Sequence, residues 1–282
     1  MSVTWQGPPP PAAPPITILG WVLVGLRGAV LGLVVFGGLG LLLAVRLFER
    51  PLCGLHRPVT PYLTQAVCRA AFVILGLRFE STGAPMDHPG AVVANHASWL
   101  DIFALNARKR IYYVAKSEVA GWAGIGWLAR ATGTVFISRD RSQAAAQKHI
   151  FEDRLTAGHK LLFFPEGTST DGLRVLGFKP TLFEAFFAPG LKDKIWVQPV
   201  CVTYAVAEGQ DTRFYGWWGD MDFGPHFLKV LAAPRQGAVR VSYLSPLRVA
   251  DFKGRKALSV ACEDAVRRGH ADALSQLQRQ AT

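Results

Sequence analysis

In the segment ANHASWLDI, residues 94–102, His96 is followed five positions later by Asp101. Histidine titrates near neutrality and is the usual general base. A carboxylate bonded to its Nδ1 fixes the tautomer and stabilises the imidazolium that forms when Nε2 takes a proton. Such a pair can deprotonate a hydroxyl group. Serine hydrolases add a nucleophile on a G-x-S-x-G elbow, a pattern this chain does not contain. Ser98 is near, but no enzyme nucleophile is needed if the substrate's own hydroxyl attacks an activated acyl donor. The same spacing also fits a capping histidine and a first-turn acid, so other segments must decide.

Three further segments carry suitable groups. In GTVFISRDRS, residues 133–142, a strand delivers Arg139 to its end, where a guanidinium can hold phosphate through two bonds. A surface charge cluster is the plainer reading. In LLFFPEGTSTDG, residues 161–172, an apolar strand ends at Pro165. Glu166, Gly167, Thr168, Ser169 and Thr170 then offer a carboxylate, close backbone approach and hydroxyl donors, which suit a phosphate or a 1,2-diol. In WVQPVCVTY, residues 196–204, Pro199 interrupts a strand and reads as an edge, a bulge or a bend.

The elements that must hold these groups alternate. Strands are predicted at 91–95, 111–115, 134–138, 160–164, 196–203 and 239–244. Helices are predicted at 99–108, 121–131, 142–157, 180–188 and 255–279. This alternation implies an α/β fold with a largely parallel central sheet flanked by helices. The last helix reads as a solvated surface helix. His96 and Asp101 then flank a strand-to-helix turn, which a rigid sheet holds at its edge.

The N-terminal region is different. Residues 1–15 are proline-rich and predicted to form a disordered tip. Residues 16–79 read as a hydrophobic two-helix membrane anchor, in which an apolar run interrupted by Arg27 is followed by a second apolar stretch at 62–77. A full span and a re-entrant hairpin both fit. Arg46, Arg50, Arg57 and Arg69 follow the run, which places the catalytic domain, residues 80–282, on the cytoplasmic side. The net charge of +11 suits nucleic acid or an anionic membrane. Hydrophobic residues make up 50% of the chain, which favours the membrane, and no nucleic-acid motif is present. Four isolated cysteines fit a reduced compartment and no metal site. The aromatic segment 214–231 is either core packing or an interfacial belt with Trp217 and Trp218 at headgroup level.

Taken together, the blocks resemble the glycerolipid acyltransferases, the 1-acylglycerol-3-phosphate (lysophosphatidic acid) acyltransferase family. Asn95, His96 and Asp101 match its N-H-x4-D block, and Gly133, Phe136, Ile137 and Arg139 its G-x-x-F-I-x-R block. Phe164 to Ser169 match F-P-E-G-T-(R/S/T), and Val197, Pro199 and Val200 match (V/I)-x-P-(V/I). The resemblance covers roughly residues 80–205, with the blocks in the family's order. It implies a membrane-bound O-acyltransferase of phospholipid biosynthesis that converts lysophosphatidic acid to phosphatidic acid. His96 would be the base, Asp101 its partner and Arg139 the phosphate ligand. Glu166, Gly167, Thr168 and Ser169 would complete the acceptor site, with Lys116 and Lys179 adding positive charge. The family's F-K-x-G block appears here as Phe178-Lys179-Pro180-Thr181, a departure that also suits a helix start at Pro180. The donor would be acyl carrier protein or coenzyme A thioester, with no metal or cofactor, and the location the bacterial inner membrane. Lyso-ornithine-lipid acyltransferases share the blocks and are the alternative. A catalytically inactive lipid-binding protein is the reading from another class, and intact His96, Asp101 and Glu166 argue against it.

Overall fold

The computed structural model describes residues 4–12, 14–122, 124–137 and 144–281. Arg139 lies outside the described residues. One sheet is built from β1 (Arg78–Thr82), β2 (Gly90–Ala94), β3 (Tyr112–Lys116), β4 (Val135–Ile137), β5 (Leu161–Phe163), β6 (Trp196–Ala205), β7 (Ala238–Tyr243) and β8 (Leu247–Arg248). The order is β1-β7-β6-β2-β5-β3-β4, with β8 paired to β6. From β6 to β4 the strands run parallel, whereas β7 and β8 run antiparallel to β6. The α/β fold with a mostly parallel sheet is as the sequence implies.

β2 lies between β5 and β6 and is buried at every residue. Its side chains alternate between two cores, as a pleated strand requires. Val92 and Ala94 join a core with Phe72, Leu105 and Leu231, and Ala91 and Val93 join one with Phe183, Leu258 and Val266. At its start Gly90 has φ +141, and a Cβ there would overlap the Trp196 carbonyl oxygen. The helices are α1 (Ile18–Cys53), α2 (Thr60–Leu75), α3 (Asp101–Arg108), α4 (Ile125–Thr132), α5 (Ala144–Thr156), α6 (Phe223–Ala232) and α7 (Arg255–Ala281).

Several elements differ from expectation. β1, β8 and α6 were not legible. β1 is polar at four of its five residues, β8 has two residues, and α6 carries Gly224 and Pro225 in its first turn. Pro180–Phe187 forms 3-10 turns rather than an α-helix, and buries Phe183 and Phe186, three positions apart. Pro199 is on a central strand, not an edge. Its carbonyl accepts from Leu244 N, and the missing N–H falls on the same side, at the break between β7 and β8. All four cysteines are free, and Cys68, Cys201 and Cys262 are buried.

α1 has 36 residues, a length of about 54 Å. It is long and apolar enough to cross a membrane and is the candidate anchor. Leu26, Leu33, Phe36 and Leu47 are exposed along it. α2 packs back against it. The start of α2 has no cap of its own; instead Glu49 from α1 accepts from Val59 N and Thr60 N at 2.8 and 3.1 Å, and from the Thr60 hydroxyl at 2.7 Å. Nearer the other end of α1, Arg27 donates to the carbonyls of Leu231 and Ala233 at 2.9 and 2.7 Å, at the close of α6.

The proline-rich tip, expected to be disordered, makes specific contacts with the α/β region. Trp5 N donates to Thr168 Oγ1, and Trp218 Nε1 and Arg213 donate to the carbonyls of Pro8 and Pro9.

Candidate active site

The turn after β2 is held from three sides. Asn95 at the strand's end exchanges two hydrogen bonds with the Val202 backbone of β6, at 2.8 and 2.9 Å. His96 O accepts from Thr170 N and from the Thr170 hydroxyl. Ala97 O accepts from Trp217 N at 2.8 Å. The imidazole therefore sits on a fixed backbone.

His96 Nδ1 lies 2.7 Å from Asp101 Oδ2. Asp101 is fully buried and opens α3, where the helix N-terminus favours a negative charge. Oδ2 also accepts from Ala97 N and Ser98 N at 2.8 and 3.0 Å, and Oδ1 accepts from the Tyr204 hydroxyl at 2.6 Å. Both oxygens of this carboxylate thus face groups that can donate to it. It requires the proton on His96 Nδ1, which leaves the Nε2 lone pair free to act as a base. Burial, and then the Asp101 charge, push the Tyr204 phenol well above its ordinary value, so it stays a donor. The imidazole stacks on Phe164 with ring centres 4.0 Å apart, and its side chain is 19% exposed, open to a substrate from one side.

Glu166 is placed differently from the expectation of an acceptor ligand. It is buried, and its two oxygens accept from His96 N and Leu176 N, each at 2.8 Å. Burial raises its carboxyl to about 8, against the pull of these two bonds. It ties the His96 turn to the loop after β5. Gly167 has φ +72, and a Cβ there would lie 2.6 Å from Lys179 Nζ, so the lysine ammonium rests directly over this glycine. Thr168 Oγ1 donates to Ser169 O as well as accepting from Trp5. Lys116 ends β3 at the same edge of the parallel sheet and is exposed. Glu166 and Thr170 thus hold His96, with Gly167, Thr168 and Ser169 on the loop between them and Lys179 over Gly167.

Trp218 is buried and cannot join an interfacial belt, and Trp217 is packed against the core. Tyr204 and Trp5 were not singled out from sequence. Tyr204 stood in plain view at the end of the WVQPVCVTY block, where a buried tyrosine needs a partner for its hydroxyl. Among the described residues no cluster of three or more His, Cys, Asp or Glu is grouped as metal ligands would be.

The acyltransferase family model matches residues 78–203, which include His96, Asp101 and Glu166. The lyso-ornithine lipid O-acyltransferase of Rhodobacter capsulatus is 58% identical over 265 residues, covering 94% of this chain and 96% of its own. The 1-acyl-sn-glycerol-3-phosphate acyltransferase of Neisseria gonorrhoeae is 30% identical over 211 residues, 73% of this chain and 80% of its own. The crystal structure of the 1-acyl-sn-glycerophosphate acyltransferase of Thermotoga maritima shares the fold, with a TM-score of 0.65 at 21% identity over 91% of this chain and 96% of that one. The chain belongs to the lysophosphatidic acid and lysophospholipid acyltransferase family and is an acyltransferase.

Proposed function

We propose that this enzyme transfers a fatty acyl group from an acyl carrier protein or coenzyme A thioester to the free hydroxyl of lyso-ornithine lipid. The observation that carries the acceptor is the near full-length, 58% identical relative of that name, set against 30% for the relative named for the glycerol phosphate acceptor. This reverses the order of the two acceptors suggested by the sequence blocks.

His96 Nε2 takes the proton of the acceptor hydroxyl as its oxygen attacks the thioester carbonyl. The carbon–sulfur bond then breaks, and the imidazolium returns the proton to the departing thiolate. Asp101 steadies the imidazolium, and Tyr204 and the two backbone N–H groups steady Asp101. Glu166 shapes the site through its backbone bonds. Gly167, Thr168, Ser169, Lys179 and Lys116 surround the acceptor headgroup, and the family resemblance adds Arg139 to this set. The N-terminal helix keeps the site at the bilayer, on the cytoplasmic face of a bacterial inner membrane, where the net charge of +11 favours anionic lipid.

The test offers purified enzyme each thioester with lyso-ornithine lipid and lysophosphatidic acid in parallel. A higher kcat/KM for lyso-ornithine lipid is expected. Preference for lysophosphatidic acid would restore that substrate as the acceptor.

A further inference from the structure

Two chain segments border the His96 turn: the loop from Glu166 to Arg174, which holds His96 through Glu166 and Thr170, and the segment from Asp211 to Asp220, which holds Ala97 through Trp217. Residues 5–9 bridge the two. On the loop side Trp5 N donates to Thr168 Oγ1 at 3.2 Å, and the Arg174 guanidinium lies 5.2 Å from the centre of the Trp5 ring. On the other side the Trp5 ring lies 6.3 Å from that of Trp218. Trp218 Nε1 donates to Pro8 O and Arg213 to Pro9 O, each at 3.2 Å, and Gln6 donates to Asp220 at 3.2 Å.

We propose that residues 5–9 form a wall of the acceptor site and that Trp5 is a specificity-determining residue. The proposal rests on the reading, given above, that the loop after β5 holds the acceptor. The Thr168 hydroxyl accepts from Trp5 and donates to Ser169 O, so both of its capacities help to build the wall. The indole covers the guanidinium of Arg174, which is itself paired through two bonds to the buried Asp171. An aromatic face over a cation fixes a bulky ring on the loop, which limits the size and charge of the headgroup that fits beside it. The run Pro8-Pro9-Pro10-Pro11 makes this arrangement cheap to order, since each proline restricts the chain before it docks. The same arm leads to Thr17, whose side chain caps α1. The wall is therefore joined through a stiff spacer to the helix that meets the membrane.

The test compares the full-length enzyme with Trp5→Ala, Trp5→Pro and Trp5→Phe in mixed micelles, using both acceptors and a donor series. Trp5→Ala removes the ring, and Trp5→Pro removes the ring and the N–H, while Trp5→Phe keeps an aromatic ring and the N–H. The Ala and Pro variants are expected to raise the acceptor KM about three- to ten-fold and narrow discrimination between the two headgroups. Donor KM and kcat should stay as in the parent, and Trp5→Phe should recover most of the loss. An unchanged acceptor KM, an equal rise for the donor, or a fall in acceptor KM would overturn the proposal. Which acceptor the parent prefers is read separately, so an error in the acceptor assignment and a failure of the wall give different results.

Discussion

The Tyr204 hydroxyl stands 2.6 Å from Asp101 Oδ1, while His96 Nδ1 approaches the other oxygen of the same carboxylate at 2.7 Å. Tyr204 thus acts on the imidazole through Asp101 and is a positioning residue. Tyr204→Phe removes one charge-assisted hydrogen bond and little volume. Such a bond contributes on the order of 1.5–3 kcal/mol, so kcat is expected to fall about ten-fold or more with both KM values nearly unchanged. His96→Ala, which removes the base itself, is expected to cost ~10²–10⁴ in rate with an unchanged melting curve. Steady-state kinetics of the two variants side by side check the ranking. A Tyr204→Phe enzyme with full activity would remove tyrosine from the relay.

Arg139→Ala discriminates between acceptors. The resemblance gives this arginine to a headgroup phosphate. The variant is expected to raise KM for lysophosphatidic acid more than for lyso-ornithine lipid, since the latter offers no phosphate to a bidentate guanidinium. Equal changes for both lipids would assign Arg139 to the scaffold.

Stability should depend on pH in two opposing ways. Burial lifts Glu166 from its ordinary 4.5 to about 8, so across that range the folded state binds more protons than the unfolded one. Stability from this group is therefore lost as pH rises from about 4.5 through 8. His159 and His226 are lowered by burial to about 4 and about 3, with Arg154 and Lys229 adding to the effect. Their contribution is complete above an unfolded pKa of about 6.5 and is lost as pH falls below it. Of these three groups, only Glu166 acts between pH 6.5 and 8. Glu166→Gln is expected to flatten the decline in that window, measured by denaturant midpoints across it. An identical slope in parent and variant would contradict the assignment.

The exposed apolar stripe of α1 should govern membrane association without governing the fold. Leu33 and Phe36 are 75% and 55% exposed. Replacing both with lysine is expected to release protein from sedimented membranes, depress activity on bilayer substrate and spare activity on detergent-dispersed substrate. Equal loss with both substrate forms would mean that this face of α1 shapes the active site directly.

The strand-turn-helix carrying His96 and Asp101, and the strand-to-loop step at Pro165, were legible because each is written in one short contiguous segment with its own hydrophobic pattern. The relation between Asp101 and Tyr204 was not, because the two residues are 103 positions apart and meet only when β6 pairs beside β2. Glu166 was marked as functional from its position after proline, but its direction, inward to two backbone N–H groups, depends on packing. The prolines of the tip suggested a free chain. They say nothing of Trp5, whose partners Thr168, Arg174 and Trp218 come from distant segments. Trp218 misled in the same way, since composition does not reveal which side of a tryptophan is covered.

Arg27 interrupts the apolar run in the sequence, yet its guanidinium ends on the carbonyls of Leu231 and Ala233. A cation at the closing carbonyls of α6 also complements that helix's dipole. The consequence is rotational. A smooth apolar cylinder can spin about its axis in lipid at little cost, whereas turning α1 would pull a partly buried charge from its acceptors. The helix is keyed like a shaft. With α1 in the bilayer, as proposed, its azimuth fixes which side faces lipid, and a lysolipid diffusing within the leaflet would meet the enzyme from one constant bearing.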